Sequence, residues 1–143
     1  MTPVSRIQCP TVPDLPHASW THALRVGPEL VMSGQTAHPA TREAAQAGAP
    51  LGAYEQTMVV LKKLQALIEA AGGGVHNMLK LVVYVTDIAD KDEVGRARRD
   101  FFGQGPYPAS TLVAVSALVF PELRVEIDAT ARLDVDLRTA AAL

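Results

Sequence analysis

Residues 123–132 read Leu123-Arg124-Val125-Glu126-Ile127-Asp128-Ala129-Thr130-Ala131-Arg132, and this stretch decides the fold. Leu123, Val125, Ile127, Ala129 and Ala131 fall on one side of a period-two repeat. Arg124, Glu126, Asp128, Thr130 and Arg132 fall on the other. Side chains alternate along a strand with that period, so the stretch predicts a strand with one face in a core and one polar face. Just upstream, Tyr107-Pro108-Ala109-Ser110-Thr111-Leu112-Val113-Ala114-Val115 opens another apolar strand, predicted over about 110–118.

Further upstream the signals alternate between strand and helix. Leu79 to Val85 is nearly apolar on both faces, which predicts a central strand. Before it, Tyr54, Met58, Leu61, Leu64, Ile68 and Ala71 draw one apolar stripe at helical spacing, so a helix is predicted over 51–71. The run Gly72-Gly73-Gly74 follows that helix and ends it, because glycine accepts the left-handed conformation of a helix terminus. Asp90 and Glu93 have the spacing of a capping box and start a second helix, with Val94, Ala97 and Phe101 inward. Gly103, Gly105 and Pro106 stop it. Near the front, Trp20–Val26 and Glu29–Gln35 flank Gly27-Pro28 as a hairpin. Residues 1–18, with Pro3, Pro10, Pro13 and Pro16, read as an extended lead-in, and 38–50 as a loop. The tail 134–143 carries no assignment.

The predicted order is strand, strand, helix, strand, helix, strand, strand. That is an α+β fold: one mixed sheet with two helices packed on one face, in a single domain over 1–143. Two helices cover only one sheet face, and a sheet this apolar needs its other face covered too, which points to self-association.

Composition narrows the function. Hydrophobic residues make up 48% and charged residues 20%, which is a globular balance. The net charge of −2 gives no electrostatic case for nucleic acid or an anionic membrane. Arg96, Arg98 and Arg99 form the densest basic patch and read as a solvated helix face. No segment approaches the ~20 apolar residues of a membrane helix, and no signal peptide is expected before Pro10. The lone Cys9 excludes an internal disulfide and fits a reducing, cytoplasmic setting. His17, His22, His38 and His76 have no metal-site spacing, and no nucleotide fingerprint is present, so neither metal nor cofactor is expected.

Four short motifs resemble the RidA/YjgF family of small imine and enamine deaminases. Trp20-Thr21-His22-Ala23 is similar to that family's Tyr-Ser-His-Ala, and Val31-Met32-Ser33-Gly34-Gln35 is a recurrent form in it. Pro108-Ala109-Ser110-Thr111 stands where the family reads Pro-x-Arg-Ser, and Glu126-Ile127-Asp128-Ala129 matches its Glu-Ile-Glu-Ala. The motifs fall in order across about residues 19–132. The resemblance implies a chorismate-mutase-like fold and a ring-shaped homotrimer that binds small molecules at its subunit interfaces.

It also implies roles. Glu126 would hold the hydrolytic water, and the backbone around Gly34 would line the pocket with Ser33 and Gln35. Trp20 would replace a pocket tyrosine or pack at an interface. His22 lies in a strand position with no partner in sequence and reads as structural. Ser110 and Thr111 would line the substrate site, but the family's carboxylate-gripping arginine is Ser110 here, and serine cannot replace a guanidinium. Gly95 likewise stands where the family often has asparagine. Either the substrate is not the standard 2-imino acid, or its carboxylate is held differently. The two functions to separate are hydrolytic deamination and ligand binding without turnover.

Overall fold

In this computed structural model, which describes residues 1–143, six strands and three helices follow in chain order. They are β1 (Val4–Arg6), β2 (Ala23–Val26), β3 (Glu29–Gln35), α1 (Ala40–Gln46), α2 (Ala53–Ala70), β4 (Met78–Val85), α3 (Lys91–Phe102), β5 (Ala109–Ala114) and β6 (Val125–Arg132). The strands form one sheet in the order β1-β2-β3-β6-β4-β5. Only β4 and β5 pair in parallel, and α3 supplies the crossover such a pair requires.

The alternation that opened the argument is realised in β6. Val125, Ile127, Ala129 and Ala131 are buried beneath the helices, while Glu126, Asp128 and Thr130 are half-buried on the other face. Leu30 and Met32 of β3 and Leu81, Val83 and Val85 of β4 join the same core. Helix α2 closes it with Val60, Leu61, Leu64, Leu67 and Ile68. The buried stripe of α2 is rotated from the one the spacing predicts. Tyr54 and Met58 lie at its flank, and Tyr54 turns to α3, where its hydroxyl donates to Asp100 at 2.7 Å and Arg96 sits over its ring.

Several expectations are corrected. The lead-in contains β1, which pairs with β2 at the sheet edge. The predicted loop 38–50 contains α1, which begins after Pro39, a residue suited to a helix start. Residues 20–22 lie outside β2, because the His22 N–H donates to the Asp14 side chain. Strand β5 ends at Ala114, since its partner β4 ends at Val85 and leaves nothing to pair with further on. Asp90 does not form a capping box: its buried carboxylate takes a two-pronged bond from Arg124, at 2.6 and 3.0 Å, while Glu93 pairs with Arg96. The unassigned tail holds one short 3₁₀ turn, Leu137–Thr139.

The glycine run ends α2 as expected. Gly72 has φ +93°, and the Gly73 N–H reaches back to the Ile68 carbonyl at 2.9 Å. Gly73 also has no room for a side chain. A Cβ there would strike the Asn77 Oδ1 and come within 2.6 Å of Leu133 Cδ2. Asn77 is not free to yield, because Oδ1 accepts from the Gly74 N–H at 2.7 Å and Nδ2 donates to the Val135 carbonyl at 2.8 Å. Gly73→Ala is therefore expected to lower the unfolding free energy by about 1–3 kcal/mol, one or two lost buried hydrogen bonds. Urea unfolding followed by circular dichroism measures it, and a wild-type midpoint would show that the Asn77 tether is dispensable.

Candidate functional site

The face of the sheet away from the helices carries the carboxylates. Glu126 and Asp128 are consecutive residues on that face of β6. Tyr84 of β4 lies directly opposite Glu126, and its hydroxyl donates to Asp128 Oδ2 at 3.2 Å. Burial raises Glu126 above the ordinary glutamate value of 4.5, and the neighbouring Asp128 charge raises it further. The same Asp128 raises the Tyr84 phenol. The arrangement therefore gives one carboxyl hydrogen-bonded to a phenol and a second, desolvated one beside it.

Gly34 completes this side. The β3–β6 register shifts between Met32 and Gln35, so the chain bulges at Ser33-Gly34 opposite these carboxylates. A Cβ on Gly34 would lie 3.0 Å from both Cδ and Oε2 of Glu126. Glycine thus leaves Glu126 its rotamer and leaves the backbone open beside it. Ser33 and Gln35 serve the bulge. The Ser33 hydroxyl donates to the Thr21 carbonyl. Gln35 is buried, and its amide nitrogen bonds Ser33 O and His22 Nδ1. His22 in turn contacts the Pro13 carbonyl through Nε2 at 3.2 Å, so it pins the lead-in and has the structural place the sequence suggested. Trp20 stands just before this network, 53% exposed.

Ser110 and Thr111 are neighbours that face opposite ways. Thr111 pairs with Val82 on the open face and accepts from Lys80 Nζ at 2.9 Å. Strand β4 separates it from β6, so Thr111 is about 10 Å from the Glu126 row. Ser110 pairs with Leu81 on the helix side, where its hydroxyl accepts from Arg98 Nη1 at 2.7 Å. A cleft of about 320 Å³ opens there between α3 and β5, with Phe102, Tyr107 and Pro108 along it.

One chain thus assembles Glu126, Gly34 and the Ser33–Gln35 bulge, and it holds Ser110 on the other side of the sheet. Sequence reasoning missed Tyr84, although it is, with Lys80, one of only two polar-headed residues in an otherwise apolar strand. It named Arg98 only as one member of a patch. No helix is long and apolar enough to cross a membrane.

Comparison with known proteins agrees with this fold. The family model described as Endoribonuclease L-PSP matches residues 12–133. A RutC family protein, y4sK of Sinorhizobium fredii, is 38% identical over 116 residues, which is 80% of this chain and 86% of that protein. The crystal structure of PA3499, a protein of unknown function from Pseudomonas aeruginosa, superposes with a TM-score of 0.96 at 66% identity, over 99% of this chain and 100% of that one. Escherichia coli TdcF, named a putative reactive intermediate deaminase, is 30% identical over 57% of this chain and 64% of its own length. Its crystal structure with bound serine superposes with a TM-score of 0.68 at 26% identity, covering 80% and 88% of the two chains. With a family model spanning residues 12–133 and a curated relative at 38% identity, the chain belongs to the RidA/YjgF family that its motifs resemble.

Proposed function

We propose that the protein hydrolyses a small reactive imine or enamine to a carbonyl compound and ammonia. The observation that carries this reading is Glu126, a desolvated carboxyl with a raised pKa set against the open backbone of Gly34. A general base works best when its pKa lies near the working pH, and burial moves Glu126 in that direction. The name of TdcF, and the small amino acid in its crystal structure, point to the same class of small nitrogen compounds.

The reaction balances with water alone. An enamine first takes a proton on carbon and gives one up from nitrogen to become the imine. Water oxygen then bonds to the imine carbon while its proton passes to the Glu126 carboxylate, and the C=N π electrons move to nitrogen. The resulting carbinolamine receives that proton on nitrogen. The hydroxyl proton then passes through Glu126 to the same nitrogen, and the electron pair it leaves on oxygen forms C=O as the C–N bond breaks and ammonia leaves. Main-chain groups near Gly34 and Thr111 orient the water and the nitrogen.

Thr111 and Ser110 cannot join Glu126 in one pocket within a single chain, since Ser110 lies across the sheet and Thr111 lies beyond β4. The proposed assembly is a homotrimer whose pockets form between subunits, and the exposed Leu24, Val31 and Val113 of the open face would be covered in it. Sedimentation equilibrium is expected to give roughly three chain masses of 15.2 kDa. Ammonia release is then followed with imines generated in place by an amino-acid oxidase. A stable monomer at micromolar concentration overturns the shared pocket, and release no faster than buffer for every imine tried overturns the deaminase.

A further inference from the structure

His22 and Gln35 meet beside the Ser33-Gly34 bulge, and their contacts fix where each proton lies. The Pro13 carbonyl can only accept, so His22 Nε2 donates to it, at 3.2 Å. The Gln35 amide nitrogen can only donate, so His22 Nδ1 accepts from it, at 3.0 Å. His22 is thereby the tautomer with its single proton on Nε2. The same Gln35 nitrogen donates to the Ser33 carbonyl at 3.1 Å. Both protons of an amide group on a residue only 2% exposed are thus committed.

The Ser33 carbonyl belongs to the peptide that carries the Gly34 N–H. That peptide is trans, so the two groups point opposite ways and fixing one fixes the other. Ser33 and Gly34 have no residue paired with them in β6, so strand register does not set this peptide as it sets its neighbours. The Gln35 amide sets it instead, against the Glu126 carboxyl on which the Gly34 backbone closes.

A second proton on His22 breaks this set. With Gln35 as it stands, two N–H groups face each other. With the amide turned over, its oxygen accepts from Nδ1 but lies against the Ser33 carbonyl oxygen. Either way the Ser33 carbonyl loses its donor. Histidine is the side chain that changes charge between about pH 5 and 8. The charged groups around it are already engaged. From the lead-in, Asp14 accepts from the His22 N–H at 2.9 Å and faces Arg6 at 3.7 Å. From α2, Lys63 donates to the Thr36 and His38 carbonyls, at 2.7 and 2.8 Å. From β6, Glu126 lies across the bulge.

We propose that His22 is a positioning residue for deamination: neutral, it holds Gln35 and through it the Ser33–Gly34 peptide beside Glu126, and protonated it lets that peptide go. The effect on rate rests on the deaminase reading above, while the coupling itself stands on the hydrogen bonds.

Two substitutions separate this role from simple pinning of the lead-in. In His22→Gln an amide nitrogen can take the place of Nε2 against Pro13, but Gln35 loses its acceptor. In His22→Asn an oxygen takes the place of Nδ1, and it cannot be protonated there. Ammonia release is followed with imines generated by an amino-acid oxidase, from about pH 5 to 8. His22→Gln is expected to lower kcat by roughly 10- to 100-fold with KM within about threefold, the cost of a preorganised group moved off its place. His22→Asn is expected to recover most of kcat and to lose the part of the acid fall that belongs to the imidazole. Nitrogen NMR reads the coupling without turnover and, in wild type, without any variant. The Gly34 amide signal is expected to move with the same midpoint as the His22 ring nitrogens, and to stay still over that range in His22→Asn. Equal kcat in wild type and His22→Gln overturns the proposal, as does an equal loss in two folded variants or a Gly34 signal that ignores the His22 titration. Coupled signals without ammonia release from any imine remove the deaminase and leave the network. Ammonia release with uncoupled signals removes the network and leaves the deaminase.

Discussion

Glu126→Gln is expected to lower ammonia release from the imine substrate by roughly 10²–10⁴-fold, the range a general base supplies. Glutamine keeps the shape of the side chain beside Gly34 and removes the proton acceptor. The acid limb of the wild-type rate profile should lie above the ordinary glutamate value of 4.5, because the ionised form does the work and burial resists ionisation.

Stability gives an independent reading of the same residue. A carboxyl whose pKa is higher in the folded than in the unfolded state binds protons better when folded. Its contribution is most favourable below the unfolded pKa and is lost as pH rises through the folded one. At neutral pH the wild type therefore carries a penalty that Glu126→Gln removes, so the inactive variant should melt slightly higher there and not in acid. A protein that only binds ligand predicts the reverse pattern, with no turnover in either chain and altered affinity in the variant. An unchanged rate in a correctly folded Glu126→Gln protein takes Glu126 out of the mechanism.

The largest effect on folding is expected at Gln56. It is fully buried at the start of α2, on a helix face that is apolar apart from Gln56 and Thr57. Its amide nitrogen donates to the Leu51 and Glu122 carbonyls, at 2.9 and 3.1 Å, and its oxygen accepts from the Arg124 N–H at 2.8 Å. One side chain thereby satisfies three backbone groups, two of them in the segment that leads into β6. Gln56→Leu leaves those groups without partners, and each such loss costs about 1–3 kcal/mol, only partly offset by the apolar side chain. The expected loss is about 2–4 kcal/mol in urea unfolding, with the proposed trimer assembly scored separately. A loss below about 1 kcal/mol would mean that water reaches these groups and the amide is not a staple.

Local pattern carried much of this structure, and it stopped where distant residues meet. Period two located β6, a run apolar on both faces located β4, and the arms on either side of Gly27-Pro28 located β3, because each signal is complete within its own strand. The rotated stripe of α2 was not legible, since Gln56 looks like a surface residue until the segment before β6 arrives to use it, and Thr57 is buried with its hydroxyl donating to the Ala53 carbonyl of its own helix. Strand β1 has three residues, all exposed, so no alternation marks it. Helix α1 was signalled by Pro39 followed by good helix formers, but the surrounding small and polar residues read as loop. Of the site, Glu126, Ser33 and Gly34 were visible as motifs. That Ser110 and Thr111 face apart follows from their adjacency, yet which of the two meets a helix depends on where α3 packs. The bond between Arg98 and Ser110 is tertiary and leaves no local trace.

The central place of β6 also governs how this molecule can come into being. Strands β1, β2 and β3 make one ribbon and β4 with β5 another, and no pairing joins the two except through β6. Any nascent chain that stops short of Val125 holds two separate half-sheets, each with an apolar underside and an unfilled edge. Folding of the domain is therefore a late event in synthesis, and the earlier strands wait in a state that a chaperone or a neighbouring chain can capture. Premature termination before that strand yields an aggregation-prone fragment with no smaller working protein inside it.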